Sequence, residues 1–314
     1  MYLQKAFATG LKKQGVSLTL CLPNANEGYY RGTRFDWSGI IRSLRMGKHK
    51  YIDEWFDVYD PFRHDCICGP AEEFTQIGYE DAKPGEEFLK IGVGTLLKPK
   101  EKEYDWFHRY EIANLGERTF EQTDEEARFR HQLISDNYGY DYRKDISLYD
   151  GGIFVIRHAL KNLGPKMLTG EVYDHNFFTL DKMKVGPEVS VVFPFRPEGT
   201  WRCDYDNVTL DGDGISFLRP LKKSETVYMG DLHPASVKPG SAGPVSNGSG
   251  RLYDGYGFEI RNARTGIGVK ATCTSGFSHI VLWANCRVVC LEPYIPFSIY
   301  PGETFSWEIG YGLL

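Results

Sequence analysis

"HIVLWANCRVVCLEPYIPFSIYPGETFSWEIGYGL", residues 279–313, opens with two short apolar runs, HIVLWA and RVVCLEPY, separated by the single break at Asn285-Cys286. Both are dense in β-branched and aromatic side chains, and prolines at 293 and 296 punctuate the second run and its continuation. Runs of this length and composition, ended by turn residues, read as β-strands rather than helices. The same texture recurs in GVSLTLCL (15–22), FLKIGVGTL (88–96), WFHRYEIANL (106–115), GGIFVIRHAL (151–160), PEVSVVFPF (187–195), GYGFEIRNA (255–263) and IGVKATCTS (267–275). Two stretches alone have helical character, YIDEWFDVY (51–59) and TDEEARFRHQLISD (123–136). In the second, Thr123 is placed to cap and an acidic first turn suits the helix dipole, although a strand with one solvated face fits equally.

The fold class expected is therefore all-β. No repeat at a fixed short period points to a propeller, and the strands are too many for one immunoglobulin-sized sandwich. A large two-sheet sandwich, formed as a single domain over residues 1–314, fits best. The Gly, Ser and Pro-rich stretch 234–257 reads as a long loop over one face, since too little chain follows it to make a second domain of ordinary size.

Composition narrows the partners. The 314 residues carry 42 acidic and 37 basic side chains, a net charge of -5, with no long basic block, so neither nucleic acid nor an anionic membrane surface is expected. Lysines interrupt every apolar stretch of the first residues, YLQKAFATGLKKQG, before signal or membrane-spanning length, which predicts a cytoplasmic protein. The seven cysteines (21, 66, 68, 203, 273, 286 and 290) show no dense secreted pattern and read as reduced, mostly buried thiols. A four-thiolate zinc site can be drawn from the 66/68 and 286/290 pairs, but their spacing is not the tight C-x-x-C turn.

Chemistry enters where polar residues interrupt the strands. Glu292 stands at the exit of an apolar strand, a place where a carboxylate is either paired or used as a base. In EVYDHNFFTLD (171–181), His175 heads a pair of phenylalanines. Glu72 and Glu73 follow a Gly69-Pro70 corner, where paired carboxylates either face a site or are solvated. His49, His131, His158, His233 and His279 read as structural or solvated histidines.

These residues resemble the aldose 1-epimerase, or galactose mutarotase-like, family. YDHNFF (173–178) is similar to the histidine-bearing strand of that family, VVCLEPY (288–294) to the strand carrying its catalytic glutamate, and PGETFSW (301–307) to its closing strand. RLYDGYGFEIRNARTGIGVKATCTS (251–275) resembles the region of a substrate-binding aspartate, which makes Asp254 the counterpart. YYRGTRFDWSGII (29–41) resembles the segment supplying a sugar-binding arginine, with Arg34 the better match and Arg31 the weaker. The usual His-Gly-Gly signature is absent: the corresponding region reads HDCICGPAEEF, leaving His64 or His108 as the second site histidine, and Asp174 rather than Asn precedes His175.

The resemblance implies a large antiparallel β-supersandwich with its site in a cleft on one sheet. It implies a mutarotase that interconverts the anomers of an aldose or a related sugar, with His175 as acid and Glu292 as base, and that needs no cofactor and no metal. Arg34, Asp254, His108, Asn176 and Glu73 would hold substrate, and Trp283 or Tyr294 would offer an aromatic face, although the core is the plainer place for Trp283. The same architecture also serves glycan-binding modules, lyases and glycosidases, the last needing two carboxyls about 5–9 Å apart, such as Glu292 with Asp254 or Glu73.

Overall fold

The computed structural model describes residues 7–100, 102–182, 184–201, 206–235 and 252–314. Cys203 and most of the 234–257 loop lie outside the described residues. The regular structure of the described residues is almost entirely strand, and every strand pair is antiparallel.

Two sheets dominate. A ten-stranded sheet includes the neighbours Tyr256–Asn262, Ile267–Cys273, Thr304–Leu313, Ile153–Asn162, Gly139–Tyr149, Glu126–Ile134 and Glu117–Gln122 in that spatial order. A six-stranded sheet runs Pro197–Trp201, Val227–Pro234, His279–Ala284, Val289–Ile299, Leu168–His175 and Ala71–Phe74. A four-stranded sheet (Ala8–Lys13 to His49–Ile52) and a three-stranded one (Glu87–Lys90, Gly94–Leu97, Ile112–Asn114) flank them.

Side chains alternate between the faces of a strand, so each strand of the six-stranded sheet divides its residues between the ten-stranded sheet and a cleft. Toward the ten-stranded sheet go Phe74, Val172, Leu291 and Phe297, all buried. There Phe74 meets Tyr142 at 5.3 Å and Trp307 at 6.1 Å between ring centroids, and Phe297 meets Phe305 at 6.0 Å. One contiguous apolar cluster takes in residues from all four sheets.

Neither helical expectation survives. YIDEWFDVY supplies the end of the His49–Ile52 strand and then irregular chain, and TDEEARFRHQLISD forms the Glu126–Ile134 strand. Thr123 does cap, but it caps a hairpin: its hydroxyl accepts from the amides of Glu125 and Glu126, and its own amide donates to the Glu126 carbonyl. The acidic, Thr-led start encodes a turn between Glu117–Gln122 and Glu126–Ile134, and the alternating burial of Ala127, Phe129, His131 and Leu133 against exposed or half-buried neighbours favours the strand.

Phe74 touches aromatic rings of both large sheets, so Phe74→Ala should destabilise the fold by about 3–5 kcal/mol. Urea denaturation followed by tryptophan fluorescence measures it; a loss under about 1 kcal/mol would show that this aromatic junction is not what holds the sheets together.

Candidate active site

The cleft face of the six-stranded sheet is set by register. Tyr173 pairs with Tyr294 on one side and with Glu73 on the other, while Glu292 pairs with Val281, Tyr294 with His279 and Cys290 with Trp283. Directly opposed residues share a face, so Glu73, Tyr173, His175, Cys290, Glu292, Tyr294, His279 and Trp283 all point into the cleft. Glu72 and Asp174, one residue away, point the other way.

His175 is the centre. Its Nδ1 lies 3.1 Å from Glu292 Oε1 and its Nε2 lies 3.1 Å from Glu73 Oε2, so one imidazole bridges two carboxylates. Only the imidazolium can donate from both nitrogens at once. Burial of the ring opposes the charge, but Glu292 and Glu73 outweigh it and raise the pKa above the usual histidine value. Phe35 stands edge-on to the ring at 4.8 Å, and Phe177 lies over it at 5.5 Å, inclined by 30°, which together fix its plane. The chain can reach this geometry because Gly69, at the turn into Ala71–Phe74, presents no side chain: a Cβ there would sit 2.2 Å from the His175 carbonyl oxygen.

Glu73 is wholly buried and surrounded by cations. Arg34 Nε lies 2.6 Å from Oε2 and Lys90 Nζ 3.3 Å from Oε1. Burial alone would raise its pKa, but Arg34, Lys90 and His175 carry it well below the ordinary carboxylate range. Glu73 is therefore an ionised anchor that orients His175 rather than a group free to hold a sugar. Glu292 differs: its side chain retains 10% exposure and its second neighbour is the Cys290 thiol, 3.6 Å away. Arg34, at 19% side-chain exposure, reaches the cleft while bonded to Glu73.

Aromatic rings line the rest. Tyr294 stacks between Tyr173 at 4.0 Å and His279 at 4.2 Å, and Ser278 Oγ lies 2.9 Å from His279 Nδ1. Trp283 is half-buried on the cleft face and touches Trp55 and Phe177 edge-on, so it is a wall of the cleft as well as a margin of the core.

The structure thus brings together His175, Glu292, Arg34, Glu73 and Trp283. It does not bring Asp254 or Asn176 to them. Asp254 lies exposed beside a separate cavity bordered by Phe193, Phe195, Tyr253, Glu259 and Lys270. Asn176 alternates to the core side, where its amide donates to the Asp174 and Leu291 carbonyls and accepts from the Tyr311 hydroxyl at 2.8 Å, so its hydrogen-bonding groups are already engaged. His108 is exposed, edge-on to Tyr110 in a loop whose His108 carbonyl accepts from Thr33 beside Arg34; His64 meets Phe107 edge-on in the same region. Neither bonds the His175 cluster. Sequence reading missed Tyr173, Lys90 and the cleft position of His279; the alternation around His175 signals Tyr173, but nothing local signals the other two. The described cysteines do not assemble into a thiolate site: Cys66 donates to the Val58 carbonyl, Cys68 contacts Tyr29, and Cys290 faces Glu292.

Sheet order and strand count define the architecture, and superposition on solved structures decides its kind. The fold is that of the galactose mutarotases. A galactose mutarotase-like protein from Clostridium acetobutylicum superposes with a TM-score of 0.57 over 98% of this chain and 95% of its own, at 12% identity. An aldose epimerase homologue from C. elegans gives 0.54 over 98% and 99%, at 13% identity. Galactose 1-epimerase from Lactobacillus acidophilus gives 0.50 over 98% and 94%, at 8% identity. No protein-family model and no curated protein sequence matches the chain. The mutarotase-like fold thus persists here at identities where only the architecture is shared, and no described helix is long and apolar enough to cross a membrane.

His175 should titrate with a midpoint above 6.5, and Glu292→Gln should lower that midpoint; NMR of the imidazole resonances checks both. Because the folded-state pKa is the raised one, this bridge stabilises the fold fully below the unfolded value near 6.5 and loses that contribution as pH climbs through the folded midpoint. A midpoint at or below 6.5 would contradict the doubly bonded imidazolium.

Proposed function

We propose that the protein is an aldose 1-epimerase-like enzyme that interconverts the α and β anomers of a monosaccharide or sugar derivative. The observation that carries this reading is the Glu292–His175–Glu73 line, in which a part-exposed carboxylate meets a charged imidazole whose far side is anchored by a buried, ionised carboxylate.

Mutarotation needs a proton taken from the C1 hydroxyl and another delivered to the ring oxygen. Glu292 accepts the first. As it turns to the substrate it releases His175 Nδ1–H, which donates to the ring oxygen, and the C1–O5 bond breaks to give the open-chain aldehyde. Rotation about C1–C2 and attack of the hydroxyl on the other carbonyl face restore the ring, the two protons returning by the reverse transfers. Glu73 stays ionised throughout and keeps Nε2 and the ring plane in place. Arg34 is positioned to hold a hydroxyl or carbonyl oxygen, and Trp283 and Tyr294 offer flat faces to sugar C–H surfaces.

A glycosidase reading is less well supported. It wants one carboxyl kept protonated as a general acid, whereas Glu73 is driven toward ionisation and Asp254 lies outside the cleft. A sugar-binding module would have no use for an imidazolium shared by two carboxylates.

Glu292→Gln and His175→Asn should each slow anomer exchange of freshly dissolved α-aldoses by about 10²- to 10⁴-fold, with the double variant little worse than the slower single. Polarimetry or NMR across several aldoses, with thermal melts to check folding, makes the measurement. Wild-type protein that binds sugars without accelerating exchange would make it a binding module, and activity surviving both changes would remove the pair from the mechanism.

A further inference from the structure

Behind the cleft, on the opposite side of the same strands, lies a second polar cluster that the proposed reaction does not use. Glu72, His158 and Asp174 are each 3% exposed or less, and one ligand-type atom from each falls within 4.8 Å of the others. Both carboxylate oxygens of Asp174, Oε1 of Glu72 and Nε2 of His158 have no hydrogen-bond partner, and the last two stand 3.5 Å apart. Unsatisfied polar atoms from three buried side chains, one of each within 4.8 Å of the others, are a costly arrangement in an apolar core.

We propose that Glu72, His158 and Asp174 bind one divalent transition-metal ion, of the Zn2+ or Mn2+ type, between the two large sheets. One imidazole and two carboxylates are a donor set for such ions. The remaining contacts suit ligation. His158 Nδ1 lies 3.0 Å from the Tyr142 hydroxyl, so an Nδ1–H donated there leaves the Nε2 lone pair facing the cluster. Glu72 Oε2 already bonds Lys144, which leaves Oε1 to the metal.

The surrounding charges are few. Lys144 is the nearest cation, bonded also to the Ser38 carbonyl at 2.9 Å, and Asp36 faces it as a counter-charge, with Arg118 beyond. Among the described residues the only cation acting on Asp174 is Lys144. Tyr142 and Tyr311 complete the wall as neutral hydroxyls. Ligands about 2.1 Å from a tetrahedral ion stand about 3.4 Å apart, so the side chains need to draw in by roughly 1 Å on loading.

The position gives the ion its role. Glu72 precedes Glu73 and Asp174 precedes His175, so the ion ties the two cleft-forming strands from behind and also ties them, through His158, to the ten-stranded sheet. It is structural and takes no part in proton transfer.

The test uses the untagged full chain, expressed in medium supplemented with Zn2+ or Mn2+ because the buried site loads as the chain folds. Elemental analysis should find about one metal per chain after exhaustive dialysis. Refolding in EDTA should lower Tm by on the order of 5 °C relative to refolding with metal. Asp174→Asn and His158→Gln should each abolish stoichiometric metal and the metal-dependent part of Tm. Co2+-loaded protein should show d–d bands without a thiolate charge-transfer band, which separates this site from the His175, Cys290 and Glu292 group in the cleft. Metal-free wild type with a Tm indifferent to EDTA would overturn the proposal, as would metal retained by both variants. An Asp174→Asn variant more stable than wild type under metal-free conditions, with no metal in either, would overturn it too, showing instead a carboxyl held protonated.

Discussion

The cleft depends on one imidazole held between two carboxylates. His175 can bridge Glu73 and Glu292 only as the cation, and it can remain a cation in so buried a place only because both carboxylates face it. Glu73 in turn stays ionised without solvent because Arg34 and Lys90 close round it. Removing any member strands a charge in a region of low polarity, so these groups stand or fall together.

That line sits on a fold whose own requirement is apolar. Adjacent residues on a strand face opposite ways, and here the same two strands serve both demands: Val172 and Phe74 go to the core, and Tyr173, Glu73 and His175 to the cleft. A register slip of one residue between Ala71–Phe74 and Leu168–His175 would turn Glu73 toward Trp307 and put phenylalanine in the cleft. Register is pinned by the aromatic junction at Phe74, Tyr142 and Trp307 and by the close approach of Gly69 to the His175 carbonyl. The apolar core and the polar line therefore depend on one alignment of strands.

Legibility in the sequence varied from residue to residue. Runs such as GGIFVIRHAL and HIVLWA were legible because β-branched and aromatic density at that length leaves few alternatives. TDEEARFRHQLISD was ambiguous because a Thr followed by acids caps a helix and a hairpin turn by the same hydrogen bonds to the Thr hydroxyl. His175 and Glu292 stood out as polar residues inside apolar strands, and the cleft does bring them together. Asn176 was misjudged because its neighbour points into the cleft, and alternation sends it the other way, to Tyr311. Asp254 precedes a strand in the expected order yet lies by another cavity, since order along the chain does not fix which side of a sheet a loop covers.

By itself, then, the sequence determined an all-β chain, a large sandwich, and the two residues most worth suspecting. Those properties are local: side-chain shape, period and turn chemistry act over a few positions. What only the tertiary structure decided is who meets whom. Glu73 and His175 are 102 positions apart along the chain and Glu72 and Lys144 are 72 apart, and no local pattern reports contacts over such separations. Whether a buried acid is ionised, protonated or held by an ion depends on the charges that packing places beside it, and those come from strands far apart in the chain.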